Sequence, residues 1–155
     1  MAALAGLVRT VWIQHTGSQS YPQRDLPTGG VELQCPIGGV PRLVGPLTGA
    51  RVQFLPPHTT IVGVRFMPGA GTPLLGVPAD ELVDLVVNLW GPAAEVIGSL
   101  TASAHAVTAL GRVQQYLAAR DLRPGVTSHW PRRASATGWP ISQLSTIFDF
   151  RGAVR

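Results

Sequence analysis

Few residues in this sequence are able to do acid–base, nucleophilic or metal chemistry, and those few are widely spaced. None of the histidines forms an H-x-H pair or an H-E-x-x-H motif, so their spacing does not predict a metal site. They are His15, His58, His105 and His129. A single cysteine excludes an intrachain disulfide and any site built from several cysteines. We therefore predict no catalytic residue, no metal, no cofactor and no enzyme activity.

The glycine-rich segment at residues 69–76 resembles a phosphate-binding loop only superficially. The third glycine of a G-x-G-x-x-G motif would fall on Leu74, and Pro73 lacks the backbone N–H that a phosphate would need. The chain also has no lysine for a P-loop. This segment predicts a turn that follows a strand.

Residues 31–35 alternate between apolar and polar side chains, which is typical of a half-buried strand. Cys35 falls on the apolar face with Leu33, where it is expected to be a small buried hydrophobic residue. The alternative is a reactive thiol, which needs a nearby cation. Glu32 falls on the other face and either points into a barrel toward a ligand or faces solvent.

The composition of the 155 residues is that of a folded domain, with 45% apolar and 13% charged residues. Residues 1–100 carry a net charge of −1, whereas residues 101–155 carry +5. The basic end favours an anionic partner such as nucleic acid, with a solvated end as the alternative. No segment has the pattern of a signal peptide or a membrane span, so a cytoplasmic protein without membrane contact is expected.

The pattern of short apolar runs and turns predicts strands in the first half and helices in the second. Strands at about ten-residue spacing favour an all-β sandwich or barrel. They are predicted at residues 7–14, 31–35, 51–54 and 61–66, with a polar loop between the first two. Helical spacing then predicts helices at residues 82–90, 93–100 and 105–120.

The last predicted helix carries an apolar stripe that either packs on the barrel or forms a dimer seam. The stripe consists of Val107, Leu110, Val113 and Leu117. The four tryptophans are expected to anchor the core rather than to stack on a ligand. They are Trp12, Trp90, Trp130 and Trp139.

An ordered set of short motifs resembles the N-terminal domain of AraC-type bacterial transcriptional regulators, over roughly residues 7–120. The motifs are LPTGGVEL at residues 26–33, VGP at 44–46, LPPHT at 55–59, VGVRFMPGA at 62–70, LLGVPADEL at 74–82 and LWG at 89–91. The resemblance lies in their order and spacing.

This resemblance implies an α+β fold, with a small cupin-like β-barrel of short antiparallel strands followed by two or three helices. It divides the chain into a sensing barrel (1–78), a helical part of the same domain (79–120), and a linker with an incomplete helix-turn-helix (121–155). The implied role is effector sensing or dimerisation, without a cofactor. Glu32, Cys35 and Arg65 are then the candidate ligand-facing residues.

Residues 138–145 resemble the start of a helix-turn-helix unit, but no recognition helix follows them. A truncated regulator is therefore expected, with impaired or absent sequence-specific DNA binding. Weak backbone contacts are assigned to Arg132, Arg133, Arg151 and Arg155. A homodimer, or a heterodimer with full-length relatives, is expected. The alternative function is a free-standing cupin-like protein that binds a small molecule.

Overall fold

The computed structural model describes residues 4–71, 79–102 and 105–120. Within these residues the chain forms seven strands followed by two helices, with a short 3₁₀ turn at Ala79–Leu82. The strands are β1 (Val8–His15), β2 (Tyr21–Asp25), β3 (Glu32–Pro36), β4 (Arg42–Val44), β5 (Arg51–Leu55), β6 (Thr60–Phe66) and β7 (Val86–Asn88), and the helices are α1 (Gly91–Thr101) and α2 (Ala106–Ala118). The prediction of a mixed α+β fold with short antiparallel strands is confirmed.

The strands form two antiparallel sheets. The larger sheet has the order β1-β6-β3-β4-β7, and β2 pairs with β5 in a separate two-stranded sheet. Gly63 on β6 is opposed to Trp12 on β1 and to Gln34 on β3. Because side chains alternate along a strand, Trp12, Gly63 and Gln34 belong to the same face of the sheet, together with the residues two positions away from them on each strand.

One face of the larger sheet is apolar and packs against both helices. Leu33, Val62 and Val64 from the sheet share a buried cluster with Ile97 of α1 and Val113 of α2. Each of these five side chains is at most 1% exposed. This helix-covered face is the main hydrophobic core, and its burial is the principal stabilising term of the domain.

The opposite face of the larger sheet is turned toward the β2–β5 sheet. Trp12, Leu55 and Ile61 form a second buried cluster that joins the two sheets. Gln23 on β2 and Gln53 on β5 are opposed in register and buried, whereas Val52 and Phe54 of β5 are 61% and 70% exposed. The two-stranded sheet therefore turns Gln23 and Gln53 inward beside Leu55, and it exposes Val52 and Phe54 on its outer face.

The helix predicted at residues 82–90 is wrong, because this segment contains the 3₁₀ turn and strand β7. Asp84 adopts a left-handed backbone conformation (φ 57°), which ends helical geometry there. Its carboxylate accepts hydrogen bonds from the backbone N–H and the hydroxyl of Thr48, at 2.8 and 2.6 Å. These contacts hold the segment against the loop after β4, and residues 86–88 pair with β4 as strand β7 instead of forming a helix.

Gly91 and Pro92 are the first two residues of α1. Proline is favoured in the first helical turn, because its missing N–H has no partner there in any case. The helices predicted at residues 93–100 and 105–120 are confirmed as α1 and α2, and four of the strands correspond to the predicted ones. Strands β2 and β4 were not predicted, and the polar loop expected after β1 contains β2.

The stripe on α2 packs mainly on the core. Val113 and Leu117 are fully buried and Leu110 packs against the same cluster, but Val107 is 76% exposed. Trp12 is buried as predicted, whereas the prediction that Trp90 anchors the core is wrong, because Trp90 is 47% exposed. The predicted linker and helix-turn-helix segment (121–155) lies outside the described residues.

Candidate functional site

The inner faces of the two sheets form a polar layer inside the domain. On the larger sheet, register places Trp12 and Gln14 of β1, Glu32 and Gln34 of β3, and Arg65 of β6 on the same face. Gln14, Glu32 and Gln34 are at most 6% exposed. Buried polar side chains in such number are unusual, because each must be desolvated and then hydrogen-bonded. We call this set, with its partners on β2 and β5, the inter-sheet polar layer.

Glu32 and Arg65 form an ion pair at the centre of the larger sheet. The two residues are directly opposed on β3 and β6, and Arg65 Nε donates a hydrogen bond to Glu32 Oε2 at 3.0 Å. Gln34 Nε2 donates to the other carboxylate oxygen, also at 3.0 Å. Both oxygens of the Glu32 carboxylate therefore have a donor, although the side chain is only 3% exposed.

Burial raises the pKa of Glu32 to about 7, because the ionised form loses its hydration. Arg65 and the hydrogen bond from Gln34 oppose this shift, while the negative charge of Asp25 adds to it. Asp25 belongs to β2, so this contribution comes from the facing sheet.

Asp25 is the centre of a second cluster, on the two-stranded sheet. Gln53 Nε2 donates to Asp25 Oδ2 at 2.6 Å, and the Arg51 guanidinium donates to the same oxygen at 3.2 Å. Asp25 is 3% exposed. Each sheet thus contributes one buried carboxylate that is paired with an arginine and a glutamine amide.

A glutamine pair connects the two sheets directly. Gln14 Nε2 on β1 donates to Gln23 Oε1 on β2 at 3.2 Å, and this bond is buried. Gln23 is opposed to Gln53 in the β2–β5 register. The polar side chains therefore form a continuous layer from one sheet to the other.

Several buried polar atoms of this layer find no hydrogen-bond partner within the described residues. They are Trp12 Nε1, Gln14 Oε1, Gln34 Oε1, Arg51 Nε and Gln53 Oε1. A buried polar atom without a partner costs about 1–3 kcal/mol of stability. Their concentration between the sheets marks the inter-sheet polar layer as the best candidate for a binding site.

Trp12 is the aromatic side chain of the layer, where it packs with Leu55 and Ile61. Its indole lies over Gly63, so that a Cβ on residue 63 would overlap the ring. The glycine therefore permits the ring to lie against the sheet, where only its Nε1–H remains to be hydrogen-bonded. An aromatic face beside several amide and charged groups is a common composition for a small-molecule site.

The structure brings together two of the three predicted ligand-facing residues. Glu32 and Arg65 are paired within the polar layer, whereas Cys35 lies on the opposite face of β3 in the helix-covered core. Cys35 is 1% exposed, and burial raises the pKa of its thiol to about 12. It therefore has the predicted environment of a small buried hydrophobic residue. The four predicted DNA-contacting arginines are outside the described residues.

Sequence reasoning missed the glutamines and Trp12 as members of the site. The available signal was the alternation of side chains in three strands, which places Gln14, Gln34 and Gln53 at positions that point inward. Among the described residues, no three His, Cys, Asp or Glu side chains lie close enough to hold a metal ion. The polar layer is suited to hydrogen bonding and ion pairing.

The comparison with known families identifies the segment that forms the sheets. The model of a family described as a domain of unknown function, DUF6597, matches residues 1–88, more than half of the chain. The chain belongs to the DUF6597 family. The DUF6597 match ends at the last residue of β7, so it includes both sheets and the inter-sheet polar layer, and α1 and α2 follow it.

We found no matching curated protein and no matching solved structure. Across the described ranges, no helix has the length and apolar character needed to cross a bilayer.

Proposed function

We propose that this DUF6597 domain binds a small molecule between its two sheets and acts as the effector-sensing and dimerising domain of an AraC-type regulator. The observation that carries the proposal is the group of buried polar atoms without described partners, which are costly for the free domain and would be satisfied by a ligand with matching donors and acceptors. A ligand that satisfies them stabilises the native state through mass action.

The AraC-type part of the proposal rests on the order of the sequence motifs described above. Two antiparallel sheets with facing inner sides also suit a cupin-like barrel, and we propose that the sheets form one. In such a barrel the inter-sheet polar layer is the interior, and the helices cover the outside of the larger sheet. The proposed effector then contacts side chains from β1, β3 and β5.

Dimerisation and DNA contact are separate parts of the proposal. The core face of α2 is occupied by the larger sheet, which leaves the α2 stripe unsuited to form a seam through Val113 and Leu117. Salt-dependent contact with DNA through Arg132, Arg133, Arg151 and Arg155 involves residues outside the described ranges. Light scattering at two protein concentrations tests the proposed dimer.

A thermal-shift screen of the purified chain against a library of anionic, cationic and neutral metabolites tests the binding function. At least one compound should raise the midpoint of wild type and lose this effect in Gln34→Leu, while Gln115→Leu, at an exposed position of α2, retains it. A library without any such compound contradicts the proposal.

The alternative function is a free-standing binding domain with the same site. It is supported by the same polar layer, and it differs in what the ligand does. An effector-sensing regulator should change its association state when the screened ligand binds, whereas a free-standing binding domain should bind the ligand at an unchanged mass. Light scattering with and without the ligand separates the two.

A further inference from the structure

We infer that the ligand of the inter-sheet polar layer is an uncharged molecule rich in hydrogen-bond donors. Three glutamine carbonyl oxygens accept the hydrogen bonds that these donors provide. The inference rests on the proposed small-molecule site and names the class of compound that fits it. It follows from the direction of each amide, from the donors nearby and from the charges already paired.

The direction of two amides is fixed by their partners. The amide groups of Gln34 and Gln53 lie 3.0 and 2.6 Å from the carboxylates of Glu32 and Asp25. Each carboxylate is also paired with an arginine and accepts hydrogen bonds in that pairing, so the nitrogen of each amide points to it. The carbonyl oxygen of each amide is then directed away from the carboxylate, and each is buried without a described partner.

Gln14 provides a third acceptor. Its nitrogen donates to Gln23 on the facing sheet, which leaves Gln14 Oε1 buried and without a described partner. Gln14, Gln34 and Gln53 are 6%, 0% and 8% exposed, so water from bulk solvent does not reach them freely. The site therefore offers three carbonyl acceptors from three strands, which a ligand with several donors would satisfy.

The layer also offers two donors, Trp12 Nε1 and Arg51 Nε. A hydroxyl group both donates and accepts, so a polyol is able to satisfy the glutamine oxygens and these donors together. An amide N–H serves the glutamine oxygens equally well, and its carbonyl accepts. The shared property is a neutral molecule with several donors, supplied by hydroxyl or amide groups.

The charges of the layer favour a neutral ligand. Glu32 is paired with Arg65 and Asp25 with Arg51, so each buried carboxylate already has a guanidinium partner. A charged ligand would lose its own hydration on entering and would compete with one of these pairs. A neutral ligand leaves both pairs in place and adds only hydrogen bonds.

Two matched series of probes test this inference on the intact chain. The six-carbon series compares D-glucitol with its anionic analogue D-gluconate and its cationic analogue D-glucamine. The three-carbon series compares glycerol with glycerate and 3-amino-1,2-propanediol. Malonamide supplies N–H donors in place of hydroxyls. Affinities are measured by ligand-detected NMR and by thermal shift, with wild type, Gln14→Leu, Gln34→Leu and the exposed control Gln115→Leu.

We expect the neutral member of at least one series, or malonamide, to bind at least about tenfold more tightly than its charged analogues. Binding should be lost in Gln14→Leu and Gln34→Leu and retained in Gln115→Leu. A stronger hydroxyl or amide response identifies which source of donors the site prefers. Tighter binding of a charged analogue overturns the inference, and so does an absence of binding by every neutral probe.

The indole N–H of Trp12 gives a second readout that requires no substitution in the glutamines. Its NMR signal is assigned by its loss in Trp12→Phe. A bound neutral probe that accepts from Nε1 should shift this signal and slow its exchange with water. A bound probe that leaves the signal unchanged contradicts placement in the polar layer. The metabolite library still tests small-molecule binding by other compound classes, so failure of this inference is distinguishable from failure of the proposed function.

Discussion

Trp12 and Gly63 occupy opposed positions on β1 and β6, and the indole of Trp12 fills the space where a side chain of residue 63 would begin. The contact fixes the ring against the larger sheet, within the buried cluster that it forms with Leu55 and Ile61. Gly63 thus determines both the packing between the sheets and the position of the indole N–H.

Gly63→Ala should destabilise the domain by about 3 kcal/mol, because the new Cβ forces the indole or the strand to move. Urea unfolding followed by circular dichroism measures the change. Gly49→Ala is the control, since Gly49 is exposed and no atom of the described residues beyond its chain neighbours lies within 4 Å of a Cβ added there. It should change the free energy of unfolding by less than about 1 kcal/mol. Equal effects of both substitutions contradict the described Trp12 position.

Leu55 and Phe54 are neighbours on β5 with opposite environments. Leu55 is fully buried between the sheets, and Phe54 is 70% exposed on the outer face. Leu55→Ala should cost about 3 kcal/mol of unfolding free energy, whereas Phe54→Ala should cost less than about 0.5 kcal/mol. Denaturant titrations compare the two. A larger loss from Phe54→Ala would show that another surface covers this outer face in solution.

Ionisation of Glu32 should make the stability of the domain depend on pH. Its pKa is about 7 in the native state, against 4.5 for an unperturbed glutamate. Between these values the native state holds a proton that the unfolded chain has lost. The contribution of this group to stability is complete below about pH 4.5 and is lost as the pH rises through 7, with a total change of about 3 kcal/mol.

Glu32→Gln should remove this component of the pH dependence. Above pH 7, where Glu32 is ionised, it should also lower stability because Arg65 loses its negative partner. Urea titrations from below pH 4.5 to above pH 7 measure both effects. The control Glu95→Gln, at an exposed position of α1, should keep the wild-type slope. An unchanged slope in Glu32→Gln would assign the pH dependence to other groups.

The Cys35 thiol should be unreactive in the native protein. It is 1% exposed, and its raised pKa keeps it protonated at neutral pH. Alkylation by iodoacetamide at mildly alkaline pH should be at least about a hundredfold slower in the native chain than in urea. Because the chain has no other cysteine, mass spectrometry reads this site directly. Comparable rates in the two conditions would revive the reactive-thiol alternative.

The sequence alone was sufficient to locate strands whose two faces differ in polarity. Alternation in residues 31–35 separates Cys35 and Leu33 from Glu32, because the side-chain period of a strand is two. The helical spacing of α1 and α2 is equally readable, since their apolar residues recur on one side of a helix. The separation of the two faces and the two helices were predicted correctly, but β3 is buried on both faces rather than half-buried, because Glu32 and Gln34 lie in the inter-sheet polar layer.

Strands β2 and β7 depended on contacts that no local pattern contains. The sequence of β2 is largely polar because its inner face meets the polar layer rather than an apolar core, and it therefore resembles a loop. The segment of β7 has an apolar spacing compatible with a helix. Pairing with β4 and the Asp84–Thr48 hydrogen bonds, between residues 36 positions apart, decided its conformation.

The candidate site shows the same division. The alternation of side chains along β3 determined that Glu32 and Cys35 point to opposite faces of the sheet. It did not determine which elements would cover each of these faces. Only the tertiary structure opposed Arg65 to Glu32 and brought Gln14 to Gln23. Strand register and the packing of two sheets are long-range choices, set by the sum of burial and hydrogen bonding over the whole domain. The glutamine carbonyls became a possible binding surface only when that packing enclosed them.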